Sequence, residues 1–288
     1  MNVKQILLFF CIKVYSLNAT SRDKSLRIIG GRDAVPGEFP YVLKMEYKLM
    51  RKGQNKDGDY RYSHICTCTV LKPTWSLTAA HCIQGLEEYT STLDIKGVIR
   101  HNFSSDKESS FSNILSMFKE PNYRKIHRME NDIGLLLSET IPVSQFAKVS
   151  SVDYFTLYGT KVLTLGYGVT IGSNGSLGDA RSVNKPLQVL DAVITRCPSK
   201  AFTPAFCLGG ICGLWPSSRA GDSGGPVLHV SGIVGVCSGT DLTQGNTRYD
   251  KNKSLKVKIK MGRQPIAMFT PGSTYVDWIT NVINSISL

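Results

Sequence analysis

No stretch of this 288-residue chain is long and apolar enough to cross a membrane; its clearest apolar run, Ile6–Ile12, falls far short of the roughly 20 residues a span needs. Charged residues are sparse at 19%, against 42% apolar. Gly 26 and Pro 12 are ordinary counts, which excludes collagen-like and low-complexity architectures. The 11 Phe and 12 Tyr, with abundant Val, Ile and Leu, exclude disorder for the bulk of the chain. Helical periodicity is scarce before the C-terminus, no internal repeat is visible, and no paired CxxC spacing of a structural zinc site occurs. The length admits one large all-β domain or two ordinary domains, with enough chain to bury a core unaided.

What is present begins at the N-terminus. Lys4 precedes the run Ile6–Ile12, and small or polar residues follow, with Ser16 and Ala19 as candidate cleavage points. This order reads as a secretory signal over residues 1–19, the alternative being a buried N-terminal strand. A secreted chain meets an oxidising compartment, where cysteines pair. The eight are Cys11, Cys66, Cys68, Cys82, Cys197, Cys207, Cys212 and Cys237. Loss of Cys11 with the signal leaves an odd seven, so at least one thiol is free or joined to another chain.

Short apolar runs broken by Gly, Asn, Asp and Pro dominate the rest: Tyr41–Tyr47, Thr69–Ala80, Val162–Tyr167, Val189–Ile194 and Val227–Cys237. Such spacing predicts an all-β sandwich or barrel set. Tyr275–Ile286 places Val276, Ile279, Val282, Ile283 and Ile286 on one face, which predicts a closing amphipathic helix. Lys48–Tyr62 reads as a long exposed hairpin loop, Gly172–Gly178 as a flexible loop, and Arg248–Arg263 as a basic insertion.

Three strings carry chemistry. Gly221-Asp222-Ser223-Gly224-Gly225-Pro226 sets a serine among glycines, on a turn where backbone N–H groups can converge on a developing oxyanion. Thr78-Ala79-Ala80-His81-Cys82 locks a histidine beside a cysteine, and Asn131-Asp132-Ile133-Gly134-Leu135-Leu136-Leu137 puts an acid at the mouth of a buried apolar strand. A serine hydroxyl is a poor nucleophile at neutral pH; it needs a base, and the base needs an acid to hold its tautomer.

In the order His, Asp, Ser, the chain from Ile28 to the C-terminal helix resembles the trypsin/chymotrypsin-like serine proteases. The resemblance implies two six-stranded antiparallel β-barrels, a C-terminal α-helix and a site in the cleft between the barrels. It implies His81 as general base, Asp132 as orienting acid and Ser223 as nucleophile, with Gly221 and Ser223 N–H groups as the oxyanion hole. No metal or cofactor is expected. Arg27-Ile28-Ile29-Gly30-Gly31 resembles the family's activation junction: cleavage after Arg27 by another protease would remove the propeptide 20–27 and free the Ile28 ammonium to pair with Asp222. The protease domain would then be residues 28–288. Cys66–Cys82 fits the bridge beside the catalytic histidine, and Cys197–Cys207 the bridge of the second barrel.

The chain also departs from that pattern. Arg219 stands where a cysteine usually sits four residues before the nucleophile, so a substitute bridge between Cys212 and Cys237 is expected, leaving Cys68 buried and inert. Ser217, at the implied floor of the specificity pocket, offers no counter-charge to a buried cation, which points to a chymotrypsin- or elastase-like preference. Gly235, Val236 and Cys237 are expected on the pocket wall, with Cys237 narrowing it and Gly235 lacking a hydroxyl that usually supports the acid.

Net charge is 34 − 22 = +12, and 29 − 21 = +8 after Arg27. Arg248–Arg263 holds seven basic residues and one acid. Lys251–Lys260 is either a polyanion site or, as we favour, the solvated face of an edge hairpin. Nucleic-acid and membrane partners are not expected, and the protein is read as a monomer acting on proteins or peptides. Asn102, Asn174 and Asn252 have the form of glycosylation acceptors. The rival reading is a protease-like binding protein that kept the fold and lost turnover.

Overall fold

The computed structural model describes residues 31–50, 60–91, 95–104, 107–124, 130–168, 186–198, 202, 204–211, 218, 220–241 and 266–286. A two-residue strand, β1 (Arg32–Asp33), precedes six strands of a closed barrel: β2 (Val42–Met50), β3 (Tyr60–Lys72), β4 (Trp75–Thr78), β5 (Ile95–Arg100), β6 (Phe111–Lys119) and β7 (Gly134–Ser138). Their order is β2-β3-β4-β7-β6-β5, with β5 pairing back onto β2. The second barrel comprises β8 (Lys161–Gly166), β9 (Gln188–Thr195), β10 (Phe206–Gly210), β11 (Pro226–His229), β12 (Gly232–Asp241) and β13 (Ile266–Pro271). Its order is β9-β10-β13-β12-β11-β8, closed by β8–β9, with β1 added beside β9. Every named strand pairing is antiparallel, so the expected pair of six-stranded barrels is the fold observed.

Two of the five apolar runs each supply parts of two strands. Pro73 and Thr74 break Thr69–Ala80 between β3 and β4, and Val230-Ser231 breaks Val227–Cys237 between β11 and β12. The insertion expected as loop from Lys48 to Tyr62 is shorter than that. β2 runs to Met50 and β3 starts at Tyr60, with Lys48 paired to Tyr62. Sequence periodicity also misses helix α1 (Ala80–Thr90), whose buried face is Ala80, Cys82, Ile83 and Leu86. The terminal helix α2 (Val276–Ile286) is as expected, but only its first turns reach the core: Ile279 and Ile283 are buried and Ile286 is exposed. Tyr275, just before α2, and Ile279 and Ile283 on it pack onto the cluster that contains the first barrel's Leu77, Ile133 and Leu135. Phe206, Phe269, Val227 and Val234 centre the second.

Strand alternation puts Leu43 and Met45 inside the first barrel and Lys44, Glu46 and Lys48 on its outer face, yet all three charged residues are buried. Aromatic rings and an ion pair cover them. Arg100, with no exposed surface, donates to both Glu46 oxygens at 3.0 Å through Nε and lies 2.9 Å from Oε2 through Nη2. Its guanidinium sits 4.3 Å from the Phe111 ring centre, and Phe111 stacks on Tyr62 at 3.9 Å. The Lys44 ammonium lies 5.1 Å from Tyr167 and 5.4 Å from Phe103. Removing one member of such a pair strands a buried charge. Glu46→Ala is therefore expected to destabilise the fold by about 3–5 kcal/mol. Chemical denaturation checks this, and an unchanged midpoint would refute it.

Candidate active site

Asp132 has no exposed surface. A buried carboxylate is tolerated only where donors replace water, and three do so. The His81 backbone N–H donates to Oδ1 at 2.8 Å, His81 Nδ1 lies 2.8 Å from Oδ2, and the Ser238 hydroxyl donates to Oδ2 at 2.5 Å. His81 is the second residue of α1, so its N–H is one of the helix's free N-terminal donors. The Cys66–Cys82 disulfide ties that first turn to β3. The acid is aimed by its neighbour: Asn131 adopts φ +54°, a conformation Asn tolerates better than most residues. Asn131 is held by the Tyr275 hydroxyl at 2.7 Å on Oδ1, while its own Nδ2 donates to the Asn122 carbonyl at 3.0 Å.

Ser223 lies on the turn before β11, half-buried, and that turn is pinned to the first barrel by Thr67 of β3. The Thr67 N–H donates to the Ser223 carbonyl at 2.8 Å, and its hydroxyl to the Gly221 carbonyl at 2.8 Å. His64 Nε2 lies 3.1 Å from the same Gly221 oxygen. Gly224, at φ +80°, permits this approach, because a Cβ there would stand 2.2 Å from both the Thr67 carbonyl and the Thr78 hydroxyl. Among the described residues, neither the Gly221 nor the Ser223 N–H has an acceptor, and no hydrogen bond joins the Ser223 hydroxyl to His81. His81 Nε2 lies 3.6 Å from the Cys82 sulfur. Catalytic hydrogen bonds in substrate-free enzymes are often long and tighten on binding.

Asp222 is buried, and its Oδ1 accepts the Gly168 N–H at 2.7 Å. Gly166 and Gly168 form a cradle that no side chain could share: a Cβ on either would lie 2.3 Å from the carboxylate.

β12 corrects the expected pocket wall. Gly235 carries no lost support for the acid; it packs on Phe206, where a Cβ would meet the ring at 2.5 Å. The supporting hydroxyl is Ser238, three residues further along, because Pro226 pairs with Val236 and leaves more of the strand before the acid. An irregularity between Cys237 and Gly239 re-aims the chain there. Ser238 is the first hydroxyl in Gly232–Asp241, a signal the sequence does hold. Cys237 sits in the core cluster of the second barrel as a free thiol, so the expected Cys212–Cys237 bridge is not made. Cys66–Cys82 and Cys197–Cys207 are both formed, and Cys68 is a buried free thiol as expected. Arg27, Ile28, Cys212, Ser217, Arg219, Asn174, Asn252 and Lys251–Lys260 lie outside the described residues. Asn102 is exposed, with its Oδ1 accepting the Ser104 N–H at 2.9 Å.

Cys66, His81 and Cys82 are the one group among the described residues close enough to hold a metal, all within 4.8 Å, but the disulfide occupies both sulfurs. A histidine fixed by a buried acid can move a proton, and a serine turn whose Gly221 and Ser223 N–H groups have no acceptor among the described residues can stabilise an oxyanion.

The family model described as Trypsin matches residues 28–279. The chain belongs to this family. It is similar to "Serine protease 1" of Homo sapiens, at 27% identity over 272 residues covering 91% of each chain. It is also similar to "Putative trypsin-6" of Homo sapiens, at 28% over the same length and coverage. Two thiols among the described residues, Cys68 and Cys237, are free and buried. Burial pushes Cys68 up to about 12 and Cys237 well above the usual thiol range, so at neutral pH both are protonated and unreactive. Iodoacetamide at pH 8 is expected to leave both unmodified in the folded protein and to label both after denaturation, read by peptide mass mapping; labelling of either before unfolding would refute this.

Proposed function

We propose that the protein is a secreted serine endopeptidase made as a precursor. Residues 1–19 are the signal and 20–27 the propeptide; an activating protease cuts after Arg27, leaving the enzyme as residues 28–288. The observation that carries the reading is the buried Asp132, hydrogen-bonded to His81 on one side and Ser238 on the other. In turnover, His81 takes the Ser223 proton as the hydroxyl attacks the scissile carbonyl. The oxyanion settles on the N–H groups of Gly221 and Ser223, which have no acceptor among the described residues. The imidazolium, steadied by Asp132, then protonates the leaving amine, and water releases the acyl group by the same steps in reverse roles. Asp222, buried in its glycine cradle beside the nucleophile, is the acid to which the new Ile28 ammonium pairs, as the likeness of Arg27–Gly31 to the family's activation junction implies.

The neutral Ser217 argues against a cationic side chain in the pocket and for a chymotrypsin- or elastase-like preference. The departures that favoured a non-catalytic binding protein lose force, because Gly235 serves packing and Cys237 lies in a core. Lys251–Lys260 is read as a solvated face, and Asn102, exposed in its loop, as a glycosylation acceptor.

Cleavage after Arg27 is expected to make Ser223 reactive toward a fluorophosphonate and to switch on peptide hydrolysis, with Ser223→Ala abolishing both. Failure of the cleaved protein to label would refute the catalytic reading. Ser238→Ala removes a hydrogen bond to a charged group, worth about 1.5–3 kcal/mol. It should lower kcat by roughly 10- to 100-fold with little change in KM. Steady-state kinetics read this, and an unchanged kcat would show that Ser238 does not position Asp132.

A further inference from the structure

The Cys66–Cys82 disulfide lies against the imidazole of His81. Nε2 of that ring stands 3.6 Å from the Cys82 sulfur, and the ligand atoms of Cys66, His81 and Cys82 all fall within 4.8 Å of one another. A tetrahedral zinc ion bonds sulfur at about 2.3 Å and imidazole nitrogen at about 2.0–2.1 Å, which sets its N···S separations at about 3.5–3.6 Å and its S···S separation at about 3.8 Å. The His81–Cys82 pair already has that spacing. What bars a metal is the disulfide itself, because the zinc ligand is a thiolate.

The surroundings suit zinc as well. His81 Nδ1 lies 2.8 Å from Asp132 Oδ2, and an ionised carboxylate only accepts, so Nδ1 carries the proton and Nε2 keeps its lone pair. Zinc-ligating histidines have this arrangement: the second nitrogen donates to a carboxylate, which fixes tautomer and ring direction. Cys82 sits in the first turn of α1, and Cys66 stands on β3 where the ladder to β2 skips Ile65. The two sulfurs therefore part between a bulge and a helix start, not across a continuous ladder.

We propose that reduction of the Cys66–Cys82 disulfide turns this corner into a zinc site, with both thiolates and His81 Nε2 as ligands and Asp132 behind the imidazole. A dithiol gives up two electrons and two protons and leaves as a cyclic disulfide; the Cys66–Cys82 bond accepts them and becomes two thiols. Zinc then displaces both thiol protons to solvent and takes the Nε2 lone pair. Three protein ligands leave a fourth position for water. Nε2 is the nitrogen left to take the Ser223 proton, so the zinc-bound enzyme has no base; this consequence rests on the hydrolase reading of the same site. Zinc at this corner thus silences the reduced enzyme and spares the oxidised one.

The test reduces the full chain with a phosphine, since dithiols themselves hold zinc, and titrates it with Co2+ as a spectroscopic probe. The reduced chain is expected to show thiolate-to-cobalt charge transfer in the near ultraviolet and tetrahedral bands in the visible, saturating at one equivalent and bleached by Zn2+. The oxidised chain should show neither. Asp132→Asn should weaken binding by about 10- to 100-fold, the range for a group behind a ligating histidine. His81→Ala should weaken it at least as much, and joint Cys197→Ala and Cys207→Ala should leave it unchanged. The proposal is overturned by a reduced chain that keeps its β-sheet circular dichroism yet shows no bands, by bands alike before and after reduction, by bands lost with Cys197 and Cys207, or by affinity unmoved in both Asp132→Asn and His81→Ala. If reduction unfolds the chain, zinc is expected to restore the sheet signal, because binding that needs a folded site drives folding; failure to restore it overturns the proposal too. In the Arg27-cleaved enzyme, zinc should stop peptide hydrolysis after reduction only, and a chelator should restore it. A cleaved enzyme that hydrolyses nothing sinks the hydrolase reading, while the cobalt spectra decide the metal site.

Discussion

A carboxylate with no exposed surface has to be surrounded by donors, and Asp132 draws them from both halves of the molecule. Two come from His81 at the start of α1 in the first barrel, and one from Ser238 on β12 of the second. The low local dielectric that makes an unmet buried charge costly also strengthens each of these bonds. The imidazole is therefore fixed in tautomer and direction as a consequence of satisfying the acid. The relative placement of the two barrels enters the same balance, because the Ser238 bond forms only if β12 passes beside the loop that precedes β7.

The serine turn obeys a parallel logic with backbone groups. Thr67 uses its N–H and hydroxyl to hold the carbonyls of Ser223 and Gly221, and its own carbonyl accepts the Thr78 hydroxyl at 3.0 Å. With the carbonyls of Gly221 and Ser223 turned toward β3, the N–H groups of the same two residues have no acceptor among the described residues. Gly224 makes the approach possible by lacking a Cβ. One threonine in the middle of a strand thus orients a turn more than 150 residues later.

Much of this was legible before any coordinates. The three strings around His81, Asp132 and Ser223 locate the proposed catalytic groups because their chemistry is local: a serine among glycines, a histidine beside a bridging cysteine, an acid opening an apolar strand. The turn-broken apolar runs predict an all-β sandwich or barrel set, and the resemblance to the family narrows this to two six-stranded barrels. Groups that act across the chain were not legible. Thr67 looks like any strand threonine, and Tyr275 like a helix-start aromatic. Ser238 was missed because the hairpin register decides which strand residue meets the acid, and register depends on where the chain turns at Val230-Ser231. Gly235 drew attention as a missing hydroxyl when its neighbour is the Phe206 ring. Helix α1 escaped because its short apolar face continues directly from β4 without a polar break.

The bond from Tyr275 to Asn131 joins the acid's turn to a residue 144 positions further along the chain. During synthesis the N-terminal part of a chain emerges and folds first. The first barrel's six strands can therefore pair before Tyr275 has been made, whereas the brace on Asn131 must wait for it, so the acid's turn gains this support later than the barrel that carries it.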